Sequence, residues 1–86
     1  MEYTDSMKNR LRRIEGQVRG VISMMEQNKD CREVVTQLTA IRSAVDRAIG
    51  LVVAGNLEAC IRIELEKGND PDRVIKEAVD LLVKSR

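Results

Sequence analysis

The sequence predicts an all-α protein of three helices, and three observations carry that expectation. Aromatic residues are almost absent, Tyr3 being the only one, so a core must be built from Leu, Ile, Val, Met and Ala. Those residues pack well between helices and specify a β-sandwich poorly. Apolar residues recur at spacings of three and four along most of the chain, the period of an amphipathic helix. The pattern breaks at two places only, and each break carries the chemistry of a helix stop followed by a helix start.

The first helix is expected from about Thr4 to Glu26. Met7, Leu11, Ile14, Val18, Val21 and Met25 alternate steps of four and three, the seam of a helix that packs against other helices. Gly16 and Gly20 lie one turn apart on it, where close approach of another helix would offset their propensity cost of ~1 kcal/mol each. Asn28, Lys29 and Asp30 interrupt the pattern, and Asp30 with Glu33 reads as a capping pair.

A second helix then starts at Cys31. Val34, Val35, Leu38, Ile41, Val45, Ala48, Ile49, Val52, Val53, Leu57, Cys60 and Ile61 keep helical spacing to about Leu65 with no proline, although Gly50 and Gly55 weaken it locally. Such a helix is ~50 Å long, more than two shorter partners in one small chain can cover, so it is expected to pair with a second copy of itself. Gly68 and Asn69 supply a stop, Asp70 a cap and Pro71 a first-turn residue. Val74, Ile75, Ala78, Val79, Leu82 and Val83 form the short third helix.

Eighty-six residues make a single domain, 1–86, that buries too little apolar surface to stand comfortably without disulfides, metal or oligomerisation. No stretch approaches the ~20 apolar residues of a membrane span, and the N-terminus lacks a signal-peptide pattern; a cytoplasmic protein is expected. In that reducing compartment two cysteines are reactive, metal-binding or simply buried rather than a permanent structural disulfide.

Net charge is +1, but it is unevenly placed. Between Lys8 and Arg19 five basic residues, Lys8, Arg10, Arg12, Arg13 and Arg19, face one acidic residue, Glu15, whereas Asp30 to Glu66 holds four basic and six acidic residues. A local basic face on a neutral chain suits phosphate; taken by itself, it equally describes a solvated helix surface.

Cys31 and Cys60 fall on the same expected helix, which would hold them ~43 Å apart. A disulfide needs Cα atoms about 4.4–6.8 Å apart, a distance open to them only across an antiparallel pair of chains. If they meet there, each residue faces the one whose number completes 91, setting Val34 against Leu57, Leu38 against Val53, and Val45 near the two-fold axis. The apolar stripe is self-complementary in that register, as an isologous dimer requires. Two unrelated small buried hydrophobes remain the alternative. The first turn of a helix favours a thiolate, which makes Cys31 the candidate nucleophile and mid-helix Cys60 the candidate resolving thiol.

Metal binding is the competing chemistry. Two thiolates can hold Cu(I) in linear fashion, but histidine is absent from the chain and a closed tetrahedral zinc site would need two further ligands. Enzymatic catalysis finds no histidine base, phosphate loop or nucleophile elbow, so no enzyme and no cofactor is expected.

The chain resembles the CsoR/RcnR family of bacterial repressors along nearly its whole length. The likeness rests on Asn9-Arg10-Leu11-Arg12-Arg13-Ile14-Glu15-Gly16-Gln17, Asp30-Cys31, Ser43-Ala44-Val45-Asp46-Arg47-Ala48 and Asn56-Leu57-Glu58-Ala59-Cys60. The resemblance implies a three-helix protomer whose first two helices form an antiparallel four-helix bundle with a partner, two such dimers making a tetramer. It implies that operator double-stranded DNA is gripped without a helix-turn-helix, at positions matching Arg10 and Arg47; Arg13 and Lys8 are added by proximity.

Copper-sensing members use a cysteine, a histidine and a second cysteine. Their positions here hold Cys31, Asn56 and Cys60, and an amide is a poor ligand for a soft metal. The pattern is similar to the persulfide-sensing CstR branch, which keeps the two cysteines alone. That likeness implies release of the operator, and derepression of sulfide detoxification genes, when persulfide or polysulfide links Cys31 of one chain to Cys60 of another. A Cu(I) sensor on the same fold and a purely structural helical oligomer are the alternatives.

Overall fold

The computed structural model describes residues 2–85, which fold as three α-helices with no strand among them: α1, Asp5–Glu26; α2, Cys31–Glu66; α3, Asp72–Lys84. The sequence places each boundary to within a residue or so. At the start of α1 the Met7 amide donates to Thr4 Oγ1 at 3.2 Å, and Asp5 adds a carboxylate to the first turn, where the helix dipole favours it.

Two turns of one design separate the helices. After α1, Asn28 adopts φ 56°, its amide donates to the Met25 carbonyl at 3.0 Å and that of Lys29 to the Met24 carbonyl at 2.9 Å. After α2, Gly68 adopts φ 76°, with Gly68 N–H bonded to Leu65 O at 3.0 Å and Asn69 N–H to Glu64 O at 2.9 Å. Both are Schellman stops, which need one left-handed residue to return two amides to the last turn. Glycine does this freely, and asparagine is the side chain that tolerates it best.

The helix starts follow. Asp30 Oδ1 accepts from the Arg32 amide at 3.3 Å, and Asp70 Oδ1 from the Asp72 amide at 3.0 Å. Pro71 is itself the N-cap of α3 rather than its first residue, so the helix starts one residue later than the sequence implied. Along α2, Thr36 and Thr39 return their hydroxyls to the carbonyls of Arg32 and Val35 at 2.8 and 2.9 Å, so neither competes with the helix for its own amide.

The chain divides into two units within α2. In the first, Thr4–Ala48, α1 lies antiparallel to the opening half of α2, since the cavity beside Met24 is lined by Glu33 and Thr36 and the one beside Ile14 by Ala44 and Arg47. The seam differs from the one the hydrophobic spacing predicts. The less exposed positions of α1 are Met7, Arg10, Ile14, Gln17, Val21 and Met24, whereas Leu11, Val18, Ile22 and Met25 are exposed. Val21 is 4% exposed against 56% for Leu11. The predicted six-residue stripe is therefore divided, Met7, Ile14 and Val21 turning inward with two polar residues interleaved.

The opening half of α2 is divided in the same manner. Val34, Ile41, Ala44 and Ala48 turn inward, and Val35, Leu38 and Val45 remain on the surface. Nothing lies within 4 Å of a Cβ built on Gly16 or Gly20, so the close helix approach expected of this pair is not made inside the chain. In the second unit Val74 and Ala78, one turn apart on α3, are buried, while Ile75, Val79 and Leu82 are exposed.

Because Asn28 holds a left-handed backbone that a β-branched residue adopts only with strain of about 1–2 kcal/mol, Asn28→Val is expected to lower stability by roughly that amount. Asn28→Gly should be neutral or slightly stabilising. Thermal unfolding followed by circular dichroism checks both, and equal midpoints for the two variants would contradict this account of the turn.

Candidate nucleic-acid interface and thiol pair

The two polar residues on the inward seam of α1, Arg10 and Gln17, are seven residues apart and share a face. They line a cavity of about 350 Å³ together with Arg13 and Ile14 of α1 and Ala40, Ser43, Ala44 and Arg47 of α2. Small residues make the space: alanine at 40 and 44 and serine at 43 leave room that larger side chains would fill. Three guanidinium groups thus border one cavity. A shallower recess beside it is lined by Ser6, Asn9, Arg10 and Arg13.

These arginines are uncommitted. Among the described residues the ion pairs are Arg19 with Glu15 at 3.2 Å and Arg62 with Glu58 at 3.1 Å, both exposed pairs one turn apart on their own helices. Arg12 is turned to Asn9, donating to its Oδ1 at 2.9 Å. Arg10, Arg13 and Arg47 are left with donors free, and planar guanidinium forks suit the oxygens of a phosphodiester. Of the four basic residues singled out in the sequence, Arg10, Arg13 and Arg47 come together here. Lys8 is exposed and lines neither cavity.

Gln17 and Ser43 belong to this site, although the sequence alone assigns them no role. Gln17 Oε1 is shielded from solvent and has no hydrogen-bond donor among the described residues. The signal that could have found it is its register, since Arg10, Gln17 and Met24 step by seven along the seam with Met7, Ile14 and Val21.

Both cysteines are free thiols. Cys31, on the first turn of α2, is exposed; Cys60, in the second unit, is half-buried. One turn before Cys60, the Asn56 side chain places Oδ1 3.9 Å from Sγ, within reach of a weak S–H···O bond. No group of three or more His, Cys, Asp or Glu side chains converges among the described residues. The donor set of two thiols and one amide does not fit a site that takes a histidine nitrogen between two thiolates.

A family described as metal-sensitive transcriptional repressors matches residues 3–84 of the chain. The chain belongs to that family, the CsoR/RcnR repressors. It is 41% identical over 79 residues to the copper-sensing transcriptional repressor RicR of Mycobacterium tuberculosis, covering 90% of this chain and 81% of that protein. A protein of Bacillus subtilis, YrkD, is 70% identical over 63 residues, which make up 73% of this chain and all of YrkD. Among solved structures, the nickel-responsive transcriptional regulator InrS superposes with a TM-score of 0.79 at 35% identity, over 96% of this chain and 92% of InrS. Membership makes the chain a transcriptional repressor rather than an enzyme, and implies DNA binding and oligomerisation. Among the described residues no helix is long and apolar enough to cross a membrane.

Proposed function

We propose that this repressor senses reactive sulfur through Cys31 and Cys60, and that the observation carrying the reading is the Asn56 side chain beside Cys60. In a family whose members are described as metal-sensitive, this chain has no histidine and sets an amide oxygen 3.9 Å from the Cys60 sulfur. An amide adds little to thiolate copper coordination and leaves sulfur chemistry open. Residues 1–86 act as one domain in the cytoplasm, where the operator is.

The sensing step follows from the thiols. Exposed Cys31, as thiolate, attacks the outer sulfur of a persulfide R–S–SH, releasing the thiol R–SH and leaving Cys31 as a persulfide. Cys60 of a second copy then attacks the Cys31 sulfur and expels hydrogen sulfide, forming an interchain disulfide. Where a polysulfide donor leaves a longer sulfur chain on Cys31, Cys60 attacks a sulfur further out along it and again expels hydrogen sulfide, leaving a tri- or tetrasulfide. Of the stripe that this antiparallel pairing would use, Leu38 and Val45 are exposed while Val34 turns inward; two such dimers make the tetramer. The link fixes one spacing of the paired helices and displaces the arginines from their DNA-binding geometry.

Repression rests on Arg10 and Arg47, seconded by Arg13, as phosphate-binding residues; Lys8, outside the cavity, is the weakest of the four. A second reading, favoured by the likeness to a copper-sensing repressor, has the two thiolates hold Cu(I) between chains.

Three outcomes are expected. Arg10→Ala or Arg47→Ala weakens operator binding with helix content and assembly unchanged, and flattens its salt dependence by a slope of roughly 0.9 for each phosphate that one site no longer neutralises; unchanged affinity in both variants would remove this face from the reading. Persulfide or polysulfide converts the reduced protein into a covalent dimer on a non-reducing denaturing gel, with loss of operator binding, and reductant reverses both. Cys31→Ser blocks the first modification, and Cys60→Ser lets Cys31 take up sulfur without forming the normal link. An intrachain link, or persulfide-driven release by the double Cys→Ser variant, would overturn the mechanism. Finally, Asn56→His raises Cu(I) affinity clearly above the parent's in a competition titration, whereas release of the operator by Cu(I) in the parent, at a potency matching persulfide, would establish the metal reading instead.

A further inference from the structure

Gln17 is a polar residue where the seam between α1 and α2 could take an apolar one. A polar side chain on the packed seam of a small helical unit costs stability unless its groups are bonded, and Gln17 Oε1 is shielded without a donor. An apolar residue at this position would pack against Ile14 and Val21 at no such cost. Its polarity therefore serves something other than this folded state of the free chain.

The geometry of the helix pair indicates what. Side chains on an α-helix lean toward its N-terminus. Because α1 and the opening half of α2 run antiparallel, Gln17 leans along α1 toward Arg13, and Arg47 leans along α2 toward Ser43. The two lean toward each other along the wall of the one cavity both line. An amide oxygen in a cavity bordered by guanidinium groups is an acceptor for the donors they carry. Arg13 shares the helix of Gln17 and leans away from it, and Arg10 lies two turns off, which leaves Arg47 as the donor that converges on Gln17 from across the seam.

We propose that Gln17 is a positioning residue for DNA binding: in the operator complex its Oε1 accepts a hydrogen bond from the Arg47 guanidinium, holding that fork so that its remaining N–H groups meet the phosphate. In the free chain the bond is unmade and the oxygen is unpaired, so operator binding satisfies a group that the free chain leaves wanting. A guanidinium has five donors in a fixed plane; anchoring one edge on the seam fixes the direction of the other. The inference rests on the reading of Arg47 as a phosphate-binding residue and adds an orienting partner to it.

The test is a double-mutant cycle on the full-length reduced protein with Gln17→Met, which keeps the length of the side chain and removes its polar atoms, Arg47→Ala, and the two combined. Operator affinity is read by fluorescence anisotropy across a salt series, with helix content and melting temperature monitored. Gln17→Met should weaken operator binding roughly tenfold, the scale of one hydrogen bond to a charged group, without changing the salt slope, because no charge has been removed. In the Arg47→Ala background the same substitution should cost less than about twofold, since the coupled partner is gone. Gln17→Ala takes the place of Gln17→Met if the latter fails to fold. Unchanged affinity in the folded Gln17 variant overturns the proposal, as does an equal loss in both backgrounds while Arg47→Ala itself weakens binding; the phosphate role of Arg47 survives either result. If Arg47→Ala leaves operator affinity unchanged, the DNA-binding reading of Arg47 falls and this inference falls with it.

Discussion

A helix can turn one stripe of side chains toward a single neighbour, and α1 carries enough apolar residues for two. Met7, Ile14 and Val21 are taken by the seam with α2, while Leu11, Val18, Ile22 and Met25, one position further round, stay on the surface. The opening half of α2 repeats the division, with Ile41, Ala44 and Ala48 inside and Val35, Leu38 and Val45 outside. Only Val21, Ala48, Val74 and Ala78 are buried among the described residues, too small an interior to hold 86 residues in shape by the hydrophobic effect alone. In the proposed assembly the exposed stripes are the second half of the core, removed from water by the oligomerisation that the family implies.

The same shortage of interior explains how cations come to border a cavity. A seam six positions long on α1 is occupied by four apolar residues and by Arg10 and Gln17, and the facing turn of α2 is built from Ala40, Ser43 and Ala44. Had those positions been leucine and isoleucine, the unit would bury more apolar surface and have no recess. Polar residues and small residues here exchange stability for a place where three guanidinium groups stand near one another without carboxylates to neutralise them. The nearby Glu15 is drawn to Arg19, one turn on along α1, and stays out of the cavity. A basic surface so arranged needs no excess of charge over the whole chain, which is why a net charge of +1 is compatible with DNA binding.

The fold is legible in the sequence because its punctuation is local. Asn28 and Gly68 adopt the left-handed backbone their residue types allow, Asp30 and Asp70 accept amides at the next helix, and the spacing between them has one period. Which apolar residues face inward is not legible, since a stripe that serves two neighbours looks from the sequence like one seam; Leu11 and Val18 read as inward on that ground. Arg10, Arg13 and Arg47 can be singled out by charge and by likeness to the family, but not as neighbours of one cavity. Gln17 and Ser43 are hidden for a further reason: an uncharged polar residue declares nothing until the neighbours that leave it unbonded are known.

The thiol pair shows what a family likeness carries and what it leaves to the residues. Being a metal-sensitive repressor by family fixes the scaffold, and the donor atoms fix what that scaffold can read. Sulfur at 31 and 60 is compatible with both soft metals and sulfane sulfur; the discrimination falls to whatever stands one turn before Cys60. A histidine nitrogen there adds a third strong donor and favours a cation. Asn56 offers instead an oxygen that a thiol proton can approach, 3.9 Å away, and its amide carries no charge. With the third donor removed, metal affinity loses more than thiol reactivity does, because coordination needs donors to act together whereas sulfur transfer needs one nucleophile at a time. On the proposed reading the effector is in this way selected by subtraction, at a position outside the unit that holds the three arginines.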